Sequence, residues 1–257
     1  MNRPAAAVLP AYCFSNAIEP CSAKPLVFDR HYLLYCAQGS IRIEVDNLSW
    51  ILPPSRALWI PANTAITVDI KQRVQCCSLL FDAGSFASPF EQCQVLTLPT
   101  LLKDMILYSK IWGPDRSVTD ELAQHFFAAI VQMCGELKEQ PFALWIPRGQ
   151  SERVRKALIY TQQHLSEPIT LAQVVDHVGS TERSISRLFM RETNMCWSHI
   201  QRQMRMIRAV ELLSNSQDKV LTVSLSVGYQ SLSSFNRAFK EFSGFTPKLF
   251  RAQFYEN

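Results

Sequence analysis

The chain has 257 residues, 47% of them hydrophobic and 19% charged, and a net charge of +4. That length holds one large or two ordinary domains, and the apolar fraction gives each half material for a core. No apolar run reaches the length of a membrane span. No basic stretch precedes an apolar core at the N-terminus, so membrane and secreted classes are set aside and the cytoplasm is expected.

The charge is unevenly spread. From Ser151 onward there are 14 Lys and Arg against 9 Asp and Glu; before it there are 12 against 13. The basic excess in the C-terminal part fits a polyanion there. Eight cysteines, at 13, 21, 36, 76, 77, 93, 134 and 196, form no C-x-x-C pair and no cluster with histidines, so reduced, mostly buried thiols are expected and a zinc site is not. Cys76 and Cys77 are neighbours on a β-rich run, so their side chains point to opposite faces and one is expected in the core. A redox role for that pair is left open.

Residues 1 to about 25 carry Ala and Pro without a period and are expected to form a poorly ordered arm. From His31 to Phe81 the pattern is β. Ile41, Ile43 and Val45 alternate with Arg42, Glu44 and Asp46, and Ile66, Val68 and Ile70 alternate again, with turns at Gly39-Ser40, Asp46-Asn47 and Pro53-Pro54. Short strands at close spacing predict a small antiparallel barrel or sandwich. Beyond Gly84 the spacing predicts helices at about Leu101–Lys110 and Thr119–Leu137. Leu122, Phe126, Ala129, Ile130, Met133 and Leu137 make a stripe on the second, for the barrel or for a second copy of the chain. Gln140 to Gln150, with Pro141, Pro147 and Gly149, reads as a linker.

The remainder is helical and says nearly the same thing twice. Ile185-Ser186-Arg187-Leu188-Phe189 and Phe235-Asn236-Arg237-Ala238-Phe239 lie about fifty residues apart, each shortly after a glycine, Gly179 or Gly228. Both place apolar residues at helix spacing with an arginine beside the stripe. They read as the recognition helices of two helix-turn-helix units, with Thr181 and Ser231 as caps. Ile185, Leu188 and Phe189 pack, which leaves Arg183, Ser186 and Arg187 outward. In the second unit Phe235, Ala238, Phe239 and Phe242 pack, which leaves Leu232, Ser233, Asn236, Arg237 and Lys240 outward. Arginine matches the two acceptors of guanine, asparagine suits adenine, and Leu232 suits a thymine methyl. A connecting helix over about Trp197–Leu213 would span roughly 25 Å, enough with its turns to set the two probes near one DNA turn apart. Arg202, Arg205 and Arg208 decorate it, as solvated charge or as contacts to phosphate.

These residues resemble the DNA-binding domain of the AraC/XylS transcription regulators. The matched pieces are Gly179 through Ser186-Arg187-Leu188-Phe189, then Val227-Gly228-Tyr229 through Ser234-Phe235-Asn236-Arg237-Ala238-Phe239-Lys240, and the ending Gly244-Phe245-Thr246-Pro247 with Phe250-Arg251. The resemblance implies DNA contacts at Arg183, Ser186, Arg187, Leu232, Ser233, Asn236 and Arg237. Val175 and Ser224 depart from it, standing where the family usually has alanine. Gly39 to Pro61 is similar, more weakly, to the cupin-type sensor domain of such regulators. Metal-binding cupins carry closely spaced histidines, whereas His31 stands alone, so no metal and no cofactor are expected.

The expected fold is α+β. Residues 1–84 form a cupin-like antiparallel β-barrel sensor domain and 85–140 a helical dimerisation or packing segment. Residues 141–150 are a linker, and 151–257 an all-α tandem helix-turn-helix domain. The expected function is a sequence-specific transcription regulator, an activator by resemblance, and not an enzyme. Its partners would be promoter DNA, RNA polymerase, an unidentified small-molecule effector and a second copy of the chain, with no membrane. A metal-dependent cupin enzyme and a dimerising adaptor without DNA binding are the alternatives.

Overall fold

The computed structural model describes residues 9–45, 48–54, 56–71, 73–137 and 144–255. The chain resolves into two compact units, Met1–Val45 with Leu52–Pro141, and Asp46–Ile51 with Phe142–Asn257. The strands are β1 (Ala11–Ile18), β2 (Cys21–Leu26), β3 (Arg30–Gln38), β4 (Ile41–Val45), β5 (Leu48–Leu52), β6 (Arg56–Ile60), β7 (Ile66–Ile70), β8 (Val74–Asp82), β9 (Gln94–Thr97) and β10 (Trp145–Pro147). The helices of the first unit are α1 (Thr100–Tyr108) and α2 (Glu121–Gly135). Those of the second are α3 (Glu152–Gln163), α4 (Leu171–Val178), α5 (Glu182–Thr193), α6 (Trp197–Asn215), α7 (Val220–Ser226), α8 (Leu232–Ser243) and α9 (Pro247–Tyr255). The fold is α+β, with two antiparallel sheets and their helices in the N-terminal part and an all-helical C-terminal part.

One sheet runs β1-β8-β3-β6-β9 with every pair antiparallel. Its register lines up Leu79, Leu33 and Trp59 across β8, β3 and β6, with Cys77, Tyr35 and Ala57 in the next row. This face is closed by Leu102 and Ile106 of α1 and by Ala123, Phe127, Ile130, Val131 and Cys134 of α2. The alternate residues Leu34, Cys36, Cys76, Leu80, Leu58 and Ile60 are equally buried, as the inner layer of a two-sheet barrel requires. The second sheet sets β7 between β4 and β2, with Ile41, Ile43 and Val45 inward. Because β8 is covered on both faces, Cys76 and Cys77 are both buried, not one of them as alternation alone suggested. Cys36 lies directly across from Cys76, and Cys77 packs beside Cys13.

Several expectations are corrected here. The arm expected before residue 25 holds β1 and β2; residues 1–8 lie outside the described residues. β1 gave no visible period because small Ala11 and Cys13 point inward while Tyr12 and Phe14 face the other way, so apolar residues fall on both faces. β2 is a polar edge strand joined to β7 by its backbone, with Pro25 in it. The stretch after Gly84 also supplies β9, which pairs with β6. The buried stripe of α2 is Ala123, Phe127, Ile130, Val131 and Cys134, rotated by about one residue from the expected one, and Leu122 is exposed. The cap of α2 is Asp120, whose Oδ1 accepts from the Ala123 N–H at 2.9 Å, in place of Thr119. Within the expected linker, Trp145–Pro147 is extended and pairs with Leu48–Trp50; residues 138–143 lie outside the described residues.

His31 is built into the barrel. Its Nδ1 accepts from the Ala62 N–H at 2.9 Å, and the ring stacks 6.0 Å from Trp59. The bond from Ala62 to Nδ1 and the stacking on Trp59 give the ring a structural role. Burial pulls its pKa below the ordinary histidine value. Among the described residues, no three His, Cys, Asp or Glu side chains gather as a metal site would need, and no helix is long and apolar enough to cross a membrane.

In the helical unit, α3 buries Val154, Ala157, Leu158 and Thr161. Trp197, at the start of α6, donates from Nε1 to the Thr161 hydroxyl at 2.9 Å, and that hydroxyl donates to the Ala157 carbonyl. α6 packs on α3, α7, α8 and α9. Its 19 residues span about 28 Å.

Candidate nucleic-acid interface

The two recognition helices are built by the same local chemistry. Thr181 caps α5 by accepting from the Ser184 N–H, and Ser231 caps α8 by accepting from the Ser234 N–H. Both helices end on a left-handed residue, Asn194 at φ 54° and Gly244 at φ 77°. Just before it, the Thr193 hydroxyl donates to the Phe189 and Met195 carbonyls, and the Ser243 hydroxyl to the Phe239 and Phe245 carbonyls. The turns that lead in also match. Gly179 N–H reaches the Asp176 carbonyl and Ser180 N–H the Val175 carbonyl, as Gly228 N–H reaches Leu225 and Tyr229 N–H reaches Ser224.

The inward faces are Ile185 and Phe189 on α5, and Phe235, Ala238 and Phe239 on α8, all buried. The outward faces carry the expected residues. Arg183, Ser186 and Arg187 are exposed on α5; Leu232, Ser233 and Arg237 are exposed on α8, with Asn236 half-buried beside them. Spacing explains the sorting, since residues 183, 186 and 187 share one side of a helix, as do 232, 233, 236 and 237. Arg183, Arg187 and Arg237 make no ion pair or hydrogen bond among the described residues. The Ser233 hydroxyl bonds to Ser231 at 2.7 Å, so it helps the cap as well as facing outward.

The arginines of α6 behave otherwise. Arg202 pairs with Glu241, and Arg208 pairs with Glu211 at 2.9 Å. Arg205 is half-buried. Its Nε donates to the Leu165 carbonyl at 3.2 Å, its Nη2 to the Glu167 carbonyl at 2.9 Å, and its plane lies 5.9 Å from the Tyr229 ring. Burial lowers its pKa from the ordinary arginine value. Each of the three therefore has a partner within the protein, which the sequence reading as solvated or phosphate-bound charge did not anticipate.

A family model described as a helix-turn-helix domain matches residues 174–253. The HTH-type transcriptional regulator NimR of Escherichia coli (strain K12) is 24% identical over 239 residues, 92% of this chain and 85% of NimR. Regulatory protein PocR of Salmonella typhimurium is 29% identical over 111 residues, 43% of this chain and 37% of PocR. Among solved structures, the C-terminal domain of AraT, a response regulator from Geobacillus stearothermophilus, is 30% identical with a TM-score of 0.39, covering 40% of this chain and 86% of that one. Residues 174–253 thus form a helix-turn-helix domain of the AraC type, the DNA-binding part of a transcriptional regulator.

Two features of this AraC-type domain escaped sequence reasoning. Glu192, near the end of α5, accepts from the Gln150 and Ser151 N–H groups at 2.7 and 2.9 Å and so ties that helix to the start of α3. Burial opposes its charge, but those N–H groups outweigh burial and hold its carboxyl below the usual range. The other is the meeting point of Arg205, Gly228 and Tyr229. The second turn is one residue longer than the first, Tyr229-Gln230 standing where the first has Ser180 alone. That insertion was a readable signal for a different contact in the second unit.

Proposed function

We propose that the protein binds promoter DNA with α5 and α8 in successive major grooves and activates transcription there, through contact with RNA polymerase. Arg183, Ser186 and Arg187 would face one groove, and Leu232, Ser233, Asn236 and Arg237 the next. One observation carries this reading. The arginines on the outward faces of two like-built helices stand without partners among the described residues, whereas those on the helix between them are engaged within the protein. Free guanidiniums at matching places in a repeat suit a repeated target. In this reading the protein works in the cytoplasm, where its DNA partner lies.

The N-terminal barrel senses a small-molecule effector or mediates dimerisation in this reading, and an effector preferring one state would shift activity by population. The dimer face is the apolar surface left by α1, the turn after it and α2, where Leu101, Tyr108, Ile111 and Leu122 are exposed. The protein is taken as a non-enzyme, because the Nδ1 of His31, the single candidate ligand, is committed to the Ala62 backbone.

Selection of bound sequences from random DNA tests the reading. Arg187→Ala and Arg237→Ala should each cost about 1–3 kcal/mol on the selected operator, and each should relax preference at a different base position. The two positions should lie about one helical turn apart. Unchanged affinity and preference in both variants would remove the base-contact role.

A further inference from the structure

The two helix-turn-helix units touch at a point that neither recognition face includes. The Leu165–Glu167 turn between α3 and α4 belongs to the first unit, and the Gly228–Tyr229 turn between α7 and α8 to the second. Arg205, midway along α6, donates to Leu165 and Glu167 and lies over Tyr229. Gly228 lets the two turns close on it: a Cβ there would sit 2.3 Å from the Leu165 carbonyl oxygen and 2.8 Å from Arg205 Nη2. The chemistry is particular to arginine, whose planar fork can reach two carbonyls while its face covers a ring; a lysine ammonium can do only one of these. Arg208 is exposed and paired to Glu211 on its own helix, an arrangement that fixes little, whereas Arg202 pairs with Glu241 of α8 and also faces Tyr229.

We propose that Arg205 is a positioning residue that holds α8 in phase with α5, so that its loss weakens binding to DNA carrying both half-sites far more than binding to either alone. The proposal rests on the reading that α5 and α8 both read DNA. A chain that engages two half-sites gains from tethering only while its geometry lets both engage at once. Arg205 would supply that geometry without touching a base or a phosphate.

Two measurements test this on the full chain. In the free protein, spin labels on unnatural amino acids at Met190 of α5 and Lys240 of α8 report the distance distribution between the helices. Arg205→Ala and Arg205→Lys should broaden it, and Arg208→Ala, whose partner Glu211 lies on α6 itself, should not. On DNA, the operator selected by the wild-type chain is compared with derivatives in which one half-site or the other is scrambled. Arg205→Ala should lose about tenfold or more on the full operator and much less on either derivative. Its salt dependence should match the wild type, because no phosphate contact is removed.

An unchanged distance distribution overturns the proposal whatever the DNA shows. Equal losses on all three DNAs also overturn it, since a merely structural role predicts that, and a salt slope lower by about one makes Arg205 a phosphate contact instead. A wild-type chain that selects no sequence overturns the DNA reading itself. The DNA-free distance distribution distinguishes that failure from failure of the positioning role.

Discussion

The first and second helix-turn-helix units share their caps, their turn hydrogen bonds and their packing stripes, yet they are supported by different means. α4 begins with a full capping box, in which Thr170 accepts from the Gln173 N–H and the Gln173 side chain accepts from the Thr170 N–H. α7, seven residues long, begins at Lys219 with no side-chain cap. Gly179 ends α4 in open space at φ 59°, whereas Gly228 ends its turn at φ 81° pressed against Leu165 and Arg205. The first unit stands on local signals and the second on what packs around it. A repeated sequence therefore does not require a repeated source of stability.

Substitution of the two glycines is the strongest test of that difference. Gly228→Ala forces a methyl onto a carbonyl oxygen at 2.3 Å in a left-handed backbone, so it should cost about 3 kcal/mol or more in denaturant unfolding. Gly179→Ala meets nothing within 4 Å, and only the left-handed conformation penalises it, by about 1–2 kcal/mol. Equal costs for the two would mean that Gly228 is a turn residue like its counterpart, and the comparison would fail.

The helix starts give a smaller contrast. Thr170→Ala removes the cap of α4 and should cost about 1 kcal/mol. Lys219→Ala, at the matching position of α7, removes no cap and should stay within about 0.5 kcal/mol. Similar losses for both would show that α7 has a support other than packing.

What was legible in the sequence follows the same division. Local signals fixed the recognition helices to within a residue, since Thr181 and Ser231 cap them and Ile185, Phe189, Phe235 and Phe239 mark their stripes. The outward placement of Arg187 and Arg237 came from the same period. The contacts of Arg205 could not be read, because Leu165 and Glu167 lie about forty residues away and offer only backbone carbonyls, which leave no trace in side-chain pattern. β2 and β10 were missed for a related reason. Each is a short strand joined to its neighbour by backbone pairing, and β2 has an almost wholly exposed face. The offset of the α2 stripe is subtler: Phe126 and Phe127 are both apolar, and only the sheet beneath decides that Phe127 turns inward.

A contrast of sign concerns Val175 and Ser224, which stand at matching places on the supporting helices and both depart from alanine. Each gives its carbonyl to the turn, to Ser180 and Tyr229 respectively. Val175 is buried among apolar neighbours, so its methyls fill space that alanine would leave empty. Ser224 is fully buried, and its hydroxyl has no hydrogen-bond partner among the described residues. A buried hydroxyl without a partner costs its desolvation with no return, and removing it leaves almost no cavity. Ser224→Ala should therefore raise stability by about 1 kcal/mol, whereas Val175→Ala should lower it. Thermal unfolding of the two variants side by side reads both signs. A loss in Ser224→Ala would mean that the hydroxyl has found a partner, and the second unit would then rest on a polar contact at its centre as well as on Arg205.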